Sequence, residues 1–372
     1  MTVLKVGYKM DRIDSEFSRF LVFLSMFDNT YSKNKQLIEL MGNDFSLKHF
    51  FRLNLEKLVN DKTISKMKSW ADENIIENYF DSLKGKGITL LTSFDQEYPE
   101  KLKGLSDAPM FLFCKGDLSL LNRPSLAVVG TRKPTNYGRI VTEKLVSEIA
   151  RNGIVIVSGL AYGIDSISHR KCLNEGGKTI AVLGSGFDNI YPTDHVALAE
   201  QIAKEGLLVS EYSPKRRATV YTFPVRNRII AGLGDGVLIT EAGIKSGTIH
   251  TKDYALDYGK NLFAVPGNIN SELSALPNDI IKSGQAECVT EAKDILSRYN
   301  IKKEKNRKES KNNFQLSLEQ QAIVSLLQDG MKDIDYLTKN CGLPIYSFNS
   351  NLTMLEISGI VTRLPGGNIS LS

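Results

Sequence analysis

The fold is decided by the stretch SLAVVGTRKPTNYGRIVTEKLVSEIARNGIVIVSG, residues 125–159. It contains a short β-branched run that ends in glycine, then a helical pattern, then a second β-branched run that again ends in glycine. Buried parallel strands have this nearly continuous apolar composition because helices cover both faces of their sheet. The stretch therefore predicts one strand–helix–strand unit of a doubly wound sheet.

The same alternation continues towards the C-terminus. Further β-branched runs are TIAVLGSG (179–186), LLVSEY (207–212), VLIT (237–240) and LFAVPG (262–267). About 180 residues, roughly 118–298, fit the pattern. We predict an α/β protein whose main domain has a doubly wound, mainly parallel sheet.

The chain on either side of this region has a different texture. Residues 1–87 contain amphipathic stretches that fit short helices ending near glycine, and they predict a small helical domain. Residues 301–313 hold six basic and two acidic residues with almost nothing apolar, which indicates a flexible linker, predicted at 299–313, with a weak attraction for phosphate as the alternative.

The last segment, residues 314–372, predicts a winged-helix domain. Three helical patterns precede two strands around a Pro365–Asn368 turn. The third helix, Pro344–Ser358, contains no Lys or Arg with which to hold phosphates. DNA contact, protein contact and simple capping of the chain all remain open as its role.

Composition limits the function classes. The 372 residues are 42% hydrophobic and 24% charged, as in globular proteins. The apolar stretch Phe20–Phe27 is far shorter than the roughly 20 residues of a membrane span, and no signal peptide is evident, so we expect a cytoplasmic protein without a membrane span. The four cysteines are widely spaced and predict neither a disulfide framework nor a metal site. A net charge of +5 permits an anionic partner without requiring one.

The first strand ends in Gly130-Thr131-Arg132 and leads into a helix. Glycine, a hydroxyl and a guanidinium at a helix N-terminus are suited to binding an anion, although a tight turn alone would explain the glycine. The segment GTRKPTNYG has neither the G-x-G-x-x-G spacing nor a P-loop GK[ST]. NAD and ATP are therefore disfavoured, and we predict no cofactor.

Two other loops with glycines and hydroxyls follow strands, Ser158-Gly159 and Ser246-Gly247-Thr248. Because the carboxyl ends of parallel strands form the ligand crevice, we expect the Ser158-Gly159 loop to converge with the Gly130 loop on one edge of the sheet. Ser246-Gly247-Thr248, at the start of a later helix, is a further potential phosphate cradle. Lys178, just before a strand, either lines the same groove or is a solvated charge.

The segment FPVRNRIIAGL, residues 223–233, is the least ordinary in the chain. An aromatic ring can stack on a base, Asn can bond a base edge and Arg can neutralise phosphate, so this mixture suits an unpaired nucleic acid strand. The alternative is a fold-only role for a Pro-marked loop that then enters an apolar helix.

Candidates for catalysis are few. His169 lies one helical turn after Asp165, as an acid/base couple or as an ordinary structural pair. Glu241 is either a general base or, as we prefer, the ion-pair partner of Arg226 or Arg228. Since no nucleophile triad or metal-ligand cluster accompanies them, we predict no catalytic and no metal-binding residues.

Taken in order, GTRKPTNYG, SGLAYGIDSISH, GGKTIAVLGSGFDNIYP, FPVRNRIIAGL, EAGIKSGTIHT and FAVPGNI resemble the DprA/Smf family of DNA-processing proteins. The resemblance covers about residues 88–298 and implies an extended Rossmann-like domain there. It also implies a non-enzymatic, homodimeric protein that binds and protects single-stranded DNA, loads the RecA recombinase on it in natural transformation or recombination, and displaces single-strand-binding protein.

The resemblance also assigns DNA contacts to Arg132 and to the cluster in residues 223–228, with Lys178 lining the groove. The complete predicted set for single-stranded DNA is Gly130, Thr131, Arg132, Ser158, Gly159, Lys178, Phe223, Arg226, Asn227, Arg228, Ser246, Gly247 and Thr248.

Two hypotheses of other classes stay open. A nucleotide-processing enzyme of the phosphoribohydrolase type uses a related Rossmann-like fold, but its PGGxGTxxE-type motif is not reproduced by EAGIKSGTIHT. The second hypothesis is an adaptor whose winged helix binds a protein partner. Deletion of residues 314–372 would separate that role from DNA binding.

Overall fold

The structure of the chain is a computed structural model that covers most of the sequence. It describes residues 13, 15–299, 316–328, 330–358, 360–364 and 367–371. The described residues form two compact units, divided between residues 301 and 302. The basic linker predicted at residues 299–313 lies outside the described residues, except for residue 299.

A nine-stranded sheet forms the centre of the first unit, within the part of the chain that the structure describes. Its strands are β1 Thr89–Thr92, β2 Phe111–Gly116, β3 Ser125–Val129, β4 Val155–Ser158, β5 Thr179–Leu183, β6 Leu207–Ser210, β7 Gly236–Ile239, β8 Asn261–Ala264 and β9 Glu287–Cys288. They lie in the order β1-β2-β6-β5-β4-β3-β7-β8-β9. From β6 to β9 every neighbouring pair is parallel, which confirms the predicted doubly wound, mainly parallel sheet.

Three strands were not among the predicted runs. β1 and β2 form an antiparallel pair, and β2 extends the sheet by pairing antiparallel to β6. β9 is only two residues long and pairs with β8. Each of these strands is stabilised by pairing with a neighbouring strand of the sheet. A sequence pattern within such a short segment does not indicate that pairing.

Helices cover both faces of the sheet. The helices of the first unit are α1 Glu16–Ser25, α2 Tyr31–Met41, α3 Leu47–Phe50, α4 Asp61–Trp70, α5 Glu73–Gly85, α6 Glu100–Lys103, α7 Asn136–Arg151, α8 Ile164–Asn174, α9 Val196–Glu205, α10 Thr222–Leu233, α11 Thr248–Asp257, α12 Ala275–Lys282 and α13 Ala292–Leu296. In β3, Leu126 and Val128 join a core with α7, α8 and α13, whereas Ala127 and Val129 join a core with α10, α11 and α12. This alternation is the period of two that a strand buried on both faces requires.

The N-terminal helices have an aromatic core of their own. Phe20 and Phe23 of α1 and Phe50 of α3 pack together, and the same cluster includes Leu90 of β1 and Phe113 of β2. The amphipathic stretches predicted as helices within residues 1–87 include FSRFLVFLSMF (17–27) and NIIENYFDSLKGKG (74–87), which correspond to α1 and α5. Because the N-terminal helices share one core with the antiparallel pair β1 and β2, the domain boundary at residue 87 stays a prediction.

The second unit has the predicted winged-helix pattern. Its elements are α14 Leu318–Leu326, β10 Lys332–Asp333, α15 Ile334–Asn340, α16 Ile345–Ile357, β11 Val361–Leu364 and β12 Asn368–Leu371. The strands pair in the order β10-β12-β11, and Ile323, Leu337, Leu352 and Ile369 belong to one buried core. Pro365 and Gly366 of the predicted turn lie outside the described residues.

Two further observations concern the described residues as a whole. All four cysteines are free, and Cys114, Cys172 and Cys341 are buried. Within the ranges given above, no helix is both long enough and apolar enough to cross a membrane.

Candidate nucleic-acid interface

A cleft of about 590 Å³ opens at the carboxyl ends of the parallel strands. The chain runs from β3 through β4 and β5 to β6 in one direction and then returns to place β7 on the other side of β3. Ligands of doubly wound sheets bind at such a reversal of strand order. Nine predicted residues line this cleft: Gly130, Thr131, Arg132, Phe223, Arg226, Asn227, Ser246, Gly247 and Thr248.

The loop after β3 is held rigidly at one wall of the cleft. A Cβ atom on Gly130 would lie 2.6 Å from Cγ1 of Ile164, so only glycine fits this close approach. The Thr131 N–H donates to the carbonyl oxygen of Glu241 at 2.7 Å, and the Thr131 carbonyl accepts from the N–H of Ile164 at 3.2 Å. These bonds present Arg132 to solvent, where no carboxylate of the described residues forms an ion pair with it.

The segment predicted as a Pro-marked loop is a helix, α10, and that prediction is wrong. Pro224 is the third residue of the helix, where its missing N–H has no intrahelical acceptor, so the ring is tolerated. Because residues four apart share a helix face, Phe223 and Asn227 both line the cleft. The helix, rather than loop flexibility, therefore sets their spacing.

Phe223 lies between backbone and a second aromatic ring. A Cβ atom on Gly184 would lie 2.8 Å from Cδ1 of Phe223, and the rings of Phe223 and Tyr191 are 5.6 Å apart. The Arg132 guanidinium carbon is 5.7 Å from the centre of the Phe223 ring. Tyr191, which is 48% exposed, lines the cleft and was missed at the sequence level. The sequence signal that could have identified Tyr191 is its position shortly after the glycine-containing turn at residues 184–186.

Arg226 forms the floor of the cleft, yet it is only 4% exposed. Its Nη1 donates to the carbonyl of Gly159 at 2.6 Å and to the carbonyl of Val182. Burial lowers the pKa of Arg226 to about 10, so the side chain stays charged at neutral pH. The buried carboxylate of Asp165 provides an opposing negative charge. Arg226 therefore ties the ends of β4 and β5 to α10, which favours a structural role, and its direct contact with DNA stays a prediction.

The other four predicted residues do not line the cleft. Ser158 is buried and its Oγ donates to the Val128 carbonyl at 2.7 Å, while Gly159 packs against the Arg226 guanidinium. Arg228 is also buried, with Nη2 2.5 Å from Oε1 of Glu211.

Lys178 lies at the wrong end of the sheet for the proposed groove. It precedes β5, and its Nζ donates to the carbonyl of Glu205 at 2.8 Å. At about 3.3 Å per residue, roughly 20 Å of strand separates it from the carboxyl edge. This placement agrees with the alternative interpretation of Lys178 as a charge that does not line the groove.

Glu241 fills the helix N-terminus that the sequence had suggested for an anion. Its carboxylate accepts the N–H of Thr135 at 2.8 Å and the Oγ1–H of Thr135 at 2.6 Å. A Cβ atom on Gly138 would lie 2.1 Å from Oε2 of Glu241. The preferred pairing of Glu241 with Arg226 or Arg228 is therefore wrong, and the start of α7 already holds a carboxylate of the protein itself.

Asp165 and His169 do not bond to each other. Asp165 accepts the N–H groups of Gly159 and Ala161 at 3.1 and 3.4 Å. Nδ1 of His169 lies 2.7 Å from Oγ1 of Thr179. Both interpretations of this spacing, the acid/base couple and the structural pair, are therefore wrong, and each side chain serves the fold through its own partner.

We expect His169 to make the protein sensitive to acid. Burial lowers the pKa of His169 to about 3, whereas an unfolded histidine titrates near 6.5. Below about pH 6.5 the unfolded chain therefore binds a proton that the native state excludes. The free energy of unfolding should fall by up to about 1.4 kcal/mol per pH unit, or about 2 kcal/mol at pH 5.

Urea unfolding of wild type and His169→Asn at pH 7 and pH 5 measures this effect. Burial raises the pKa of Asp165 and of Glu211, which gives a contribution of opposite sign, but these groups are present in both proteins. The variant should lose less stability on acidification than wild type. Equal losses in the two proteins would contradict the assignment.

The fold and the cleft together define a class: a Rossmann-like protein with a ligand cleft at the carboxyl edge of its sheet and a separate winged-helix unit. Residues 89–300 match the family described as DNA recombination-mediator protein A, and residues 307–367 match the DprA winged helix domain. The chain belongs to the DprA/Smf family, which confirms the resemblance drawn from the motifs.

Individual relatives agree with this assignment. The chain is 39% identical to DNA processing protein DprA of Bacillus subtilis over 241 residues, 63% of this chain and 81% of that protein. It is 35% identical to protein Smf of Escherichia coli over 289 residues, 76% of this chain and 77% of that protein.

Two solved structures are similar as well. The X-ray structure of DprA from Streptococcus pneumoniae is 32% identical with a TM-score of 0.59, covering 77% of this chain and 99% of that one. DNA processing protein A from Helicobacter pylori is 34% identical with a TM-score of 0.52, covering 56% of this chain and 94% of that one. The latter structure is described as showing a single-stranded DNA binding mode.

Proposed function

We propose that this protein binds single-stranded DNA in the cleft at the carboxyl edge of the sheet. The observation that carries the proposal is the group at the mouth of the cleft, where exposed Arg132, without an ion-pair partner among the described residues, stands beside the rings of Phe223 and Tyr191. A guanidinium can bind a phosphate, and aromatic faces stack on unpaired bases of any sequence. The binding mode described for the Helicobacter pylori relative supports this assignment.

Family membership supports a fuller role. We infer that the protein protects single-stranded DNA and loads the RecA recombinase on it in natural transformation or recombination, in the cytoplasm. Homodimer formation and exchange with single-strand-binding protein belong to the same proposal.

We further infer that the protein acts without catalytic turnover. Glu241 and Asp165 both use their carboxylates to accept backbone N–H groups, and His169 is fully buried. A phosphoribohydrolase needs a carboxylate free to act on its substrate, so this arrangement favours binding over hydrolysis.

Equilibrium binding to a fluorescent single-stranded oligonucleotide, with the matching duplex as competitor and at two salt concentrations, tests the proposal. We expect tight binding that falls with salt and that the duplex competes for poorly. Absence of binding would contradict the proposal and would direct the search to nucleoside monophosphates and ribose release.

Arg132→Ala should weaken single-stranded DNA binding by about tenfold, because a charge-assisted bond to phosphate is lost. The slope of log affinity against log salt should shrink by about 0.7, the value for one phosphate contact on a single strand. The fold should be intact because the side chain is exposed. Arg170→Ala, an exposed arginine on α8 outside the cleft, is the matched control and should bind like wild type.

A further inference from the structure

A second groove, of about 580 Å³, lies between the N-terminal helices and the loop that joins β6 to α10. This volume is in the range of ligand sites, about 300 to 1,000 Å³. One wall includes Lys66 and Trp70 of α4 and Lys86 after α5, and the other is residues 213–217. Both walls belong to the first unit, and none of the groove's lining residues lines the cleft.

The groove carries a positive charge that the described residues do not fully neutralise. Five basic residues line it against two acidic ones, a net charge of +3. Lys86 pairs with Asp188 at 2.7 Å, and Arg216 lies 3.7 Å from Asp28. The remaining basic residues, which have no acidic partner among the described residues, are Lys66, Lys215 and Arg217. These charges favour an anionic ligand.

Trp70 adds an aromatic surface to this charge. It is the only tryptophan of the chain, and its ring packs against Phe27 at 5.6 Å. Nζ of Lys66 lies 4.3 Å from the ring centre. The lysine side chain is flexible and its ammonium is well hydrated. Stacking of a base on an aromatic ring contributes more binding free energy than an exposed cation–π contact does. A base can therefore replace the ammonium over Trp70 and leave Lys66 free to meet a phosphate.

Two loops connect this groove to the cleft. They are bonded to each other, since the N–H of Gly186 donates to the Arg216 carbonyl at 2.8 Å and the N–H of Asp188 donates to the Pro214 carbonyl at 2.9 Å. In the first loop Asp188 of the groove is three residues from Tyr191 of the cleft, so their Cα atoms are at most about 11 Å apart. A strand that leaves the cleft past Tyr191 thus arrives at the groove.

We propose that the groove is a second subsite for the same DNA strand, in which Trp70 stacks a base while Lys215 and Arg217 hold phosphates. This inference rests on the proposed function of the cleft. It extends the DNA path from the sheet edge onto the N-terminal helices, and so assigns those helices a part in DNA binding.

Because the chain has one tryptophan, selectively excited tryptophan fluorescence reports on the groove alone. The full-length protein is titrated with fluorescently labelled oligothymidylate of roughly 30 or roughly 6 nucleotides, while anisotropy of the label reports binding and tryptophan emission reports stacking. We expect saturable quenching of Trp70 with the long strand and much less with the short one. Binding of the long strand without quenching would overturn the inference but not the proposed function, whereas no binding at all would overturn both.

The double variant Lys215→Ala/Arg217→Ala tests the groove without touching a core residue, since both side chains are exposed. It should bind the long strand about tenfold or more weakly, reduce the quenching and leave binding of the short strand within about twofold of wild type. Arg170→Ala/Lys282→Ala removes the same charge from exposed positions outside both sites and should change neither signal. Undiminished quenching and affinity in the groove variant would overturn the inference.

Discussion

Replacing Arg226 with alanine is expected to lower the free energy of unfolding by about 3 to 5 kcal/mol, the usual cost of leaving a buried charge uncompensated. The side chain is 4% exposed and bonds the carbonyls of Gly159 and Val182. Its removal would leave two buried acceptors without those bonds and the carboxylate of Asp165 without its nearby positive charge. Loss of DNA binding in this variant would then follow from loss of the fold.

Urea unfolding measures this effect, with Arg170→Ala as a control that removes an exposed guanidinium and should change stability by no more than about 0.5 kcal/mol. An Arg226→Ala protein as stable as wild type, but unable to bind single-stranded DNA, would contradict the structural role. That result would support the predicted direct contact of Arg226 with DNA.

The second large effect is expected on affinity. Phe223→Ala should weaken binding to single-stranded DNA by about 1 to 3 kcal/mol, because one stacking surface is lost. The slope of log affinity against log salt should be unchanged, since no charge is removed. This pattern differs from that of Arg132→Ala, for which both the affinity and the salt slope fall.

Since Phe223 also packs against the backbone at Gly184, alanine at this position could disturb α10. Phe223→Leu keeps most of the apolar volume without the flat ring and separates the two effects. It should unfold close to wild type yet bind more weakly. Full affinity in Phe223→Leu would show that ring stacking does not contribute.

These two predictions assign different tasks to residues that are three positions apart in one segment. Phe223 faces the cleft, while Arg226 points its guanidinium into the protein beneath it. A composition of aromatic, Asn and Arg residues indicated nucleic acid for the whole segment. It did not distinguish the side chain available to a ligand from the one that supports the floor.

The strands of the parallel sheet, the helices at both ends of the chain and the family could all be predicted from local patterns. β-branched runs that end in glycine, amphipathic periods and the ordered motifs are properties of contiguous residues. The convergence of Gly130–Arg132 with Ser246–Thr248 was also predictable, because parallel strands bring their carboxyl ends to one edge.

Only the tertiary structure determines which charged side chains are available to a ligand and which are bonded within the protein. Glu241 bonds Thr135, 106 residues away, and Arg226 bonds Gly159, 67 residues away. Whether a polar group faces a ligand or a buried backbone atom depends on which distant element packs against it, since a buried group must be paired. Among the described residues no such partner reaches Arg132, so its guanidinium is available to a ligand, and no pattern within its own segment contains that information.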